Sequence, residues 1–371
     1  MTRSAKSFAV VTASAALFAA LACQPKTVSS ETTPSNAAKP DATPRNPEPI
    51  TIAAVGDVMM GSPYPNDSRM PPNDGADLFK EVAPIISAAD IGFGNLEGPI
   101  IDGGVSGKCG GSGNCFAFRM PTRYGKYLKE AGFDVMGVAN NHAGDFGRDG
   151  RASTQKTLDE QGIKYAGSLD PPATTAYLDV KGKKVAVIGF GHNGGMPSIN
   201  DLDAARQYVL DAKKKADIVI VSFHGGGEGT DHQHVKNGSE IFLGENRGNL
   251  PAFTHTVIDA GADLVLGHGP HVMRGMEMYK DRLIVYSMGN FCTYGWFGLG
   301  AETALGEIVD IKIAADGKFI SGKINAVKQE GKGGPLLDKS GAAIRVVRGL
   351  SEADFGANAP KIADDGTITP K

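Results

Sequence analysis

The sequence has little net charge and lacks the short motifs of several large enzyme classes. Its 371 residues carry 38 Lys and Arg against 41 Asp and Glu, a formal net charge of −3. No basic patch with interleaved aromatic residues occurs, so nucleic acid is not an expected partner. There is no GxSxG nucleophile elbow, and no GxGxxG fingerprint with a downstream acidic residue opens a helix. The segment GGVSGKC is one residue short of a phosphate-binding loop and has Cys109 where that loop needs Ser or Thr.

Cysteine is scarce, with four residues in the chain. Cys109 and Cys115 flank GGSGN, a loop flexible enough to close a small ring, and in an exported protein they favour a disulfide. A zinc-binding pair is the alternative, although no His lies near them in the sequence. Cys292, beside Phe291, is predicted to be a buried thiol.

The apolar run at the N-terminus, Phe8 to Leu21, is too short for a comfortable transmembrane helix. It follows Arg3 and Lys6 and ends in small residues, which is the pattern of a secretion signal. The sequence FAALAC resembles a bacterial lipobox, in which Cys23 is lipidated and becomes the mature N-terminus, and a simple cleaved signal is the alternative. We expect an exported protein held on the membrane by a lipid anchor. Because Gln24 follows the Cys, the periplasmic face of the outer membrane is expected in a cell with two membranes, and otherwise the cell surface.

The composition divides the chain into four parts. A signal peptide over 1–23 precedes a segment, 24–48, that is rich in Pro, Ser and Thr and has almost no bulky apolar side chains. Such a segment cannot bury enough surface to fold, so we predict a disordered tether. The folded domain is predicted over 49–345. A polar tail over 346–371 is predicted to fray from about Ser351.

Short β-rich apolar runs alternate with longer amphipathic segments in the predicted domain, which favours an α/β fold. The predicted strands are 50–55, 90–93, 133–139, a short one near 165, 183–190, 218–223, 264–266 and 283–287. The predicted helices are 77–89, 122–131, 151–161, 201–215 and 250–260. Period-two alternation over Glu307–Ala314 and Lys318–Val327 predicts a C-terminal antiparallel hairpin. We therefore expect mixed sheets with flanking helices.

Polar residues stand where the predicted strands give way to Gly-rich loops. Asp57 and Glu97 are acidic residues at two such junctions, and Asn140 and Asn141 stand at a third. Five of the eight histidines occupy the same kind of position, namely His142, His192, His224, His268 and His271. Because the carboxyl ends of strands in an α/β sheet open onto one crevice, these side chains are expected to converge. Carboxylate, amide and imidazole groups on one rim predict a metal site.

Each of these residues also has a plainer interpretation. Asp57 could cap its own turn, one Asn could serve a left-handed backbone, and a single His is more often structural than a ligand. The whole set is harder to explain in that way, because imidazoles packed together without a metal or acidic partners are unfavourable when any is charged. Imidazole with carboxylate and amide oxygen suits manganese, iron or zinc better than calcium or magnesium, and two such ions would clamp a phosphate.

Six ordered motifs between Thr51 and Asn325 carry a resemblance to a known family. They are AAVGDVMMG, FGNLEGPI, VANNHAGDFG, FHGGGE, GHGPHV and YSMGNF. Together they closely resemble the CapA family of bacterial capsule-synthesis proteins, which is linked to poly-γ-glutamate capsules and related surface polymers. That family in turn resembles the calcineurin-type metallophosphoesterases. The resemblance implies an α/β/β/α sandwich with a dinuclear metal centre, an anionic surface polymer or its precursor as ligand, and capsule-synthesis membrane proteins as partners.

The resemblance also implies roles for individual residues. Asp57 matches the first metal carboxylate, and Glu97 matches the bridging acid. Asn141 matches an amide ligand, and His142 matches the neighbouring general acid. The remaining metal ligands that it implies are His224, His268 and His271. The residues implied to orient ligands or to contact substrate are Asn95, Asp145, Glu228 and Asn290.

The chain departs from the phosphoesterase pattern in its first motif. The pattern there is Asp-x-His, whereas Met59 stands at the His position, and Glu97 replaces an Asp. We expect one of the two ions to lose a ligand and to be held weakly or not at all. Three functions are compatible with this: an exported metal-dependent hydrolase of a phosphoester acting in capsule or poly-γ-glutamate formation, a non-catalytic component that holds the polymer, and a metal-dependent amide hydrolase of γ-glutamyl or peptidoglycan links.

Overall fold

Two large mixed β-sheets pack face to face in the computed structural model, which describes residues 48–108, 116–295 and 298–371. The strands are β1 (Ile50–Met59), β2 (Ile91–Leu96), β3 (Val135–Gly137), β4 (Lys164–Ala166), β5 (Ser168–Leu169), β6 (Pro172–Ala173), β7 (Thr175–Val180), β8 (Lys183–Gly191), β9 (Ile218–His224), β10 (Ile241–Phe242), β11 (Glu245–Asn246), β12 (Leu264–His268), β13 (Met276–Tyr279), β14 (Arg282–Val285), β15 (Asn290–Thr293), β16 (Leu305–Ile313), β17 (Phe319–Gln329), β18 (Pro335–Leu337), β19 (Lys361–Ile362) and β20 (Thr367–Thr369). The helices are α1 (Ala83–Ile86), α2 (Gly125–Glu130), α3 (Gly147–Glu160), α4 (Leu202–Lys213), α5 (Leu250–Asp259) and α6 (Ala342–Phe355).

The first sheet has a parallel half and an antiparallel half, whereas the second has a parallel centre and antiparallel edges. The first has the order β19-β20-β17-β16-β1-β2-β3-β4, and β15 also pairs with β1 and β18 with β17. Strands β1 to β4 are parallel, whereas β16 and β17 form the predicted antiparallel hairpin. The second sheet has the order β13-β14-β12-β9-β8-β7, and its strands β8, β9, β12 and β14 are parallel.

Three apolar clusters hold the layers together. The first fills the space between the sheets, where Ile52 of one sheet and Ile220 of the other are buried. The second packs α1, α2 and α3 onto the outer face of the first sheet through side chains such as Leu158. The third packs α4 and α5 onto the second sheet through side chains such as Phe253. Central strands are thus buried on both faces, as the continuous apolar run in ITIAAV indicates, and the predicted α/β/β/α arrangement of mixed sheets with flanking helices is confirmed.

Strand register places the polar residues of the strand ends side by side. Asp57 of β1 pairs with Asn95 of β2 and with Asn290 of β15. His224 and His268, the last residues of β9 and β12, pair with each other. The carboxyl ends of both sheets therefore contribute to one edge of the sandwich.

The predicted helix over 77–89 is wrong for most of its length. Only α1, which has four residues, is α-helical, and turns form most of the remainder. Pro84 lies in this segment, and it has no N–H to donate to the carbonyl of the residue four positions earlier. The apolar residues of the segment are thus buried by turns and by α1 together, which place Val82 and Ile86 against the first sheet.

The prediction that the chain frays from about Ser351 is also wrong. Helix α6 continues to Phe355, and β20 pairs with β17 through Ile368, which is fully buried. The Ser351 hydroxyl oxygen accepts a hydrogen bond from the backbone N–H of Met276 (2.8 Å). A few well-placed apolar residues hold this segment on the domain despite its polar composition.

Several predictions fall outside the described residues. They concern the signal peptide, Cys23, nearly all of the tether over 24–48, and the pairing of Cys109 with Cys115. The division of the chain into four parts also stays a prediction. Cys292 is buried and unpaired, as predicted. Among the helices of the described ranges, none combines the length and the hydropathy that a membrane span requires.

Candidate metal centre

Two carboxylates and one imidazole form the centre of the strand-end cluster. Asp57 and Glu97 are buried, and ligand atoms of these two residues and of His271 lie within 4.8 Å of one another. Asp57 belongs to β1, Glu97 directly follows β2, and His271 lies in the loop after β12. Three residues far apart in the sequence therefore converge as the strand-end pattern predicts, and such a group could hold a metal ion.

Asp57 is the carboxylate of the cluster that has hydrogen-bond partners on both of its oxygens. Its Oδ1 accepts a hydrogen bond from Asn95 Nδ2 (2.8 Å), and its Oδ2 lies 3.0 Å from His271 Nδ1. His268 Nδ1 lies 3.6 Å from Oδ1. Burial alone would raise the pKa of Asp57, but the nearby imidazoles of His268 and His271 outweigh burial and hold that pKa well below its ordinary value. Asp57 is therefore ionised.

The pKa of Glu97 is shifted in the opposite direction to that of Asp57. Its Oε1 lies 3.5 Å from both His224 Nε2 and His271 Nε2, distances at which neither imidazole forms a hydrogen bond with it. Burial raises the pKa of Glu97 well above its ordinary value, and the nearby charge of Asp57 raises it further. Two carboxylates in a site closed to water cannot both ionise without a compensating cation.

The His271 imidazole lies between the two carboxylates. Burial would lower its pKa, but the charge of Glu97 and the hydrogen bond to Asp57 outweigh burial and raise that pKa to about 10. Its backbone has φ 57, a left-handed conformation that is uncommon for a non-glycine residue. Asn290 stabilises this conformation, because its Nδ2 donates to the His271 carbonyl oxygen (3.1 Å). Asn290 is thus bonded to the backbone of a predicted ligand, and its role in orienting that ligand stays a prediction.

Many of the predicted ligand atoms are buried without a hydrogen-bond partner among the described residues. They are both carboxylate oxygens of Glu97, Oδ1 of Asn141, both ring nitrogens of His224 and both ring nitrogens of His268. The same holds for Oδ1 of Asn290, a residue predicted to orient ligands or to contact substrate. Leaving one buried polar group unsatisfied costs about 1–3 kcal/mol, so a native fold retains such a group only with a compensating partner. Burial lowers the pKa of His224 well below its ordinary value, which leaves the imidazole neutral, the form that binds metals. The residues present thus fit a divalent cation.

A hydrogen-bonded chain of amides connects the cluster to His142. Asn95 bonds to Asp57 and accepts a hydrogen bond from Asn140 Nδ2 (3.1 Å), and Asn140 Oδ1 accepts from the backbone N–H of His142 (3.2 Å). Asn140 also donates to the Leu96 carbonyl oxygen (2.8 Å), immediately before Glu97. The loop that carries His142 is therefore fixed relative to the two carboxylates.

The His142 ring is held on both its edge and its face. Its Nδ1 lies 2.8 Å from Asp145 Oδ2, and its ring stacks on Phe118 with centroids 3.8 Å apart. Asp145 also accepts the backbone N–H of Phe118 (2.7 Å) and forms an ion pair with Lys108 Nζ (2.9 Å). Burial lowers the pKa of His142, and the hydrogen bond to Asp145 opposes that shift. Asp145 thus orients the imidazole, so that Nε2 is the nitrogen left for chemistry.

The remaining predicted residues surround this centre. Asn141 has a buried amide oxygen, and its backbone carbonyl accepts Lys108 Nζ (3.0 Å). Glu228 lies in the loop after β9, where its Oε1 accepts from Arg247 Nη1 (2.8 Å), and its charge raises the pKa of Glu97 and of His271. Glu228 therefore acts on the cluster through charge.

Sequence reasoning leaves three neighbouring residues without a role. His192 is predicted only to lie on the rim, yet its ring lies 5.8 Å from that of His224, and its Nε2 lies 3.5 Å from Glu245 Oε2. Lys108, in the segment rejected as a phosphate loop, contacts Asp145. The strand-end pattern signals His192, whereas no pattern marks a contact for Lys108, in the long loop after β2, or for Arg247, in the short connection between β11 and α5.

Comparisons with known proteins agree with the motifs. The family model described as "Bacterial capsule synthesis protein PGA_cap" matches residues 51–294. The capsule biosynthesis protein CapA of Bacillus anthracis is 29% identical over an alignment of 330 residues that covers 83% of this chain and 74% of that protein. The PGA biosynthesis protein CapA of Bacillus subtilis (strain 168) is 31% identical over an alignment of 264 residues that covers 67% of this chain and 64% of that protein.

Solved structures give more distant matches. A hypothetical protein from Thermus thermophilus is 16% identical with a TM-score of 0.48, over 76% of this chain and all (100%) of that chain. A putative 5'-nucleotidase from Staphylococcus aureus is 15% identical with a TM-score of 0.43, over 82% of this chain and 58% of that chain.

Proposed function

The chain belongs to the family of bacterial capsule synthesis proteins that the PGA_cap model describes, and from this premise we propose that it is a metal-dependent hydrolase of a phosphoester in capsule or poly-γ-glutamate formation. The single observation that carries the proposal is the set of buried, unpartnered ligand atoms around Asp57, Glu97 and His271 in the described part of the chain. Relatives named for capsule and PGA biosynthesis support the surface-polymer context.

The donor set selects the class of ion. Carboxylate, imidazole and amide donors favour manganese, iron or zinc over calcium and magnesium. Asp57, Glu97 and His271 would hold one ion. Glu97, with Asn141, His224 and His268, would hold a second, and Met59 leaves the first ion without one imidazole. A bound ion supplies Lewis-acid stabilisation of the negative charge that develops on a phosphoryl oxygen.

The protein's own residues contribute orientation and a proton. Asp145 fixes the His142 ring through Nδ1 at 2.8 Å, which leaves Nε2 as the nitrogen for proton transfer. We assign His142 as the general acid: in its protonated form the ring donates Nδ1–H to Asp145 and gives the Nε2 proton to the leaving oxygen, a role that typically contributes about 10²–10⁴-fold in rate. Lys108 balances the charge of Asp145, so the buried His–Asp pair carries no uncompensated negative charge.

A second candidate function is a non-catalytic component that holds an anionic polymer in the same cleft. Met59 favours it, because a buried thioether replaces a strong imidazole ligand beside Asp57. In both proposals the chain is exported and is anchored to the membrane by lipid on Cys23. The ligand is an anionic surface polymer or its precursor, and membrane proteins of capsule synthesis are the protein partners.

The experiment combines metal analysis with hydrolysis assays on the full chain. Purified protein is loaded with manganese or zinc, its metal content is measured by elemental analysis, and hydrolysis of bis(p-nitrophenyl) phosphate and p-nitrophenyl phosphate is followed. Mass spectrometry of γ-glutamyl polymer and peptidoglycan fragments after incubation tests the amide reaction in parallel. The variants Asp57→Asn and His142→Asn separate the roles, since the first should lose metal and the second should keep metal and lose turnover.

A protein that takes up neither metal would contradict the hydrolase. Metal uptake with no hydrolysis of any of these compounds, together with His142→Asn protein that still binds polymer, would favour the non-catalytic function. Release of γ-glutamyl or peptidoglycan products without phosphoester hydrolysis would show that the bond hydrolysed is an amide and not a phosphoester.

A further inference from the structure

A second buried charged pair lies outside the cluster of ligands. Arg274 is fully buried, and its guanidinium binds both oxygens of Glu240, with Nη1 2.7 Å from Oε1 and Nη2 2.8 Å from Oε2. This two-point geometry is the strong form of an arginine–carboxylate pair. Burial alone would raise the pKa of Glu240, but the hydrogen bonds and charge of Arg274 outweigh burial and lower it.

The pair touches the segment that directly follows His224. Glu240 Oε2 accepts the backbone N–H of Gly227 (2.8 Å), and Arg274 Nη2 donates to the Gly227 carbonyl oxygen (3.3 Å). Gly227 is three residues after His224, and Arg274 is three residues after His271. The pair therefore joins the two segments that continue from these predicted ligands.

The consecutive glycines of FHGGGE make room for this contact. A Cβ atom on Gly226, which has φ +88, would lie 2.9 Å from Arg274 Nη1. A Cβ atom on Gly225 would lie 2.8 Å from the Arg247 carbonyl oxygen, to which the Gly226 N–H donates (2.8 Å). These glycines thus admit the backbone at Arg247 and the guanidinium of Arg274.

Stability alone does not explain such a pair. Replacing a buried ion pair by apolar residues of similar volume is often neutral or stabilising, because the desolvation of both charges offsets their attraction. What the pair adds is a fixed geometry between two segments. The rings of His224 and His271 lie 6.5 Å apart, and both approach Glu97 Oε1 at 3.5 Å.

We propose that Glu240 and Arg274 are positioning residues of the metal centre, which hold the segments of His224 and His271 at the separation that ion binding requires. The inference rests on the proposed function, because it concerns the same ion. It extends that function to residues that lie outside all six sequence motifs.

The test compares metal affinity with thermal stability in the full chain. The double variant Glu240→Leu with Arg274→Met removes both charges and keeps apolar volume, and Arg274→Lys keeps the charge without the fork. The matched control is Arg282→Met. Arg282 also pairs with a buried carboxylate, that of Asp263 (3.2 Å), but it is the first residue of β14 and so lies at the end of the strand away from the carboxyl edge that carries the predicted ligands. Zinc and manganese dissociation constants are measured by isothermal titration calorimetry, and Tm by circular dichroism.

We expect the double variant to bind zinc at least about tenfold more weakly than the wild type, the effect typical of losing support for a ligand. Its Tm should stay close to that of the control variant, and Arg274→Lys should lose less affinity than the double variant. Unchanged metal affinity in a folded double variant would overturn the inference and leave the proposed function intact. If the double variant does not fold, Glu240→Gln and Arg274→Lys provide the same comparison, and wild-type affinity in both would overturn it. Failure of the wild type to bind either metal would overturn the proposed function and this inference together.

Discussion

Nδ1 of His271 lies 3.0 Å from Oδ2 of Asp57, although the two residues are 214 positions apart in the sequence. The same ring presents Nε2 to Glu97 at 3.5 Å. Because its pKa is raised to about 10, the imidazole is protonated at neutral pH and supplies positive charge between two carboxylates. A divalent cation that binds these groups must displace that proton, since only neutral imidazole donates to a metal.

Metal binding should therefore release protons and strengthen as the pH rises. A folded-state pKa of about 10 keeps His271 protonated below that pH, so each unit of pH increase should raise the apparent metal affinity about tenfold between about pH 6 and 9. Calorimetric titration with zinc in two buffers of different ionisation enthalpy measures the number of protons released, and we expect at least one per ion. His234→Gln, an exposed histidine paired with Asp354 elsewhere, should not change this number. Metal affinity that is independent of pH would contradict the assignment of His271 as a ligand that loses its proton when the metal binds.

Asp145→Asn should reduce turnover without removing the metal. The amide cannot stabilise a charged imidazole as the carboxylate does, and it leaves the His142 ring less firmly oriented. We expect kcat for an aryl phosphoester to fall about 10²-fold or more while zinc affinity stays near that of the wild type. Asp149→Asn, an exposed change at the start of α3, serves as the control for folding and for net charge. Wild-type turnover in Asp145→Asn would contradict the role of His142 as a general acid that Asp145 orients.

The strand-end residues were predictable because backbone geometry alone brings them together. A parallel strand buried on both faces has an apolar run in its sequence, and a polar residue at or just after the end of that run lies at the carboxyl edge of the sheet. Asp57, Glu97, His224 and His268 follow this rule. The supporting pair Glu240 and Arg274 does not, because side-chain packing, which no local pattern encodes, decides which charged residues are buried.

The errors have equally local causes. Helical spacing over 77–89 was a true signal of burial on one side, but Pro84 prevents a continuous helix there. The polar composition after Ser351 concealed Ile362 and Ile368, two buried residues whose partners lie in the first sheet and between the sheets. The average composition after Ser351 is polar, yet the pairing of β20 with β17 is enough to hold this segment on the domain.

Glu307→Gln should stabilise the protein at alkaline pH relative to the wild type. Glu307 lies in β16, its carboxyl group is fully buried, and neither oxygen has a hydrogen-bond partner among the described residues. Burial raises the pKa of Glu307 well above its ordinary value, so the folded chain holds this proton after the unfolded chain has lost it. Above the ordinary carboxyl pKa, the free energy of unfolding should therefore fall by up to about 1.4 kcal/mol per pH unit until the folded-state pKa is reached.

Urea denaturation of the wild type and of Glu307→Gln at about pH 5 and at about pH 8 measures this dependence. The uncharged amide should flatten the decline, so the variant gains stability relative to the wild type as the pH rises. Glu352→Gln, an exposed change on α6, should follow the wild type at both values. Parallel pH profiles for Glu307→Gln and the wild type would show that Glu307 ionises equally in both states.

Met59→His should strengthen the binding of the more weakly held ion. Met59 is buried in β1 two residues after Asp57, where the related phosphoesterase pattern has an imidazole. A thioether is a poor ligand for manganese, iron and zinc, whereas imidazole binds all three, so the substitution adds a donor to an existing site. We expect zinc titration and elemental analysis to show a second ion per chain, or at least about tenfold tighter binding of that ion. Met59→Leu keeps the volume without a donor atom and should leave metal binding unchanged. If Met59→His binds no more metal than Met59→Leu, residue 59 does not face the ion, and the departure from the phosphoesterase pattern has another structural cause.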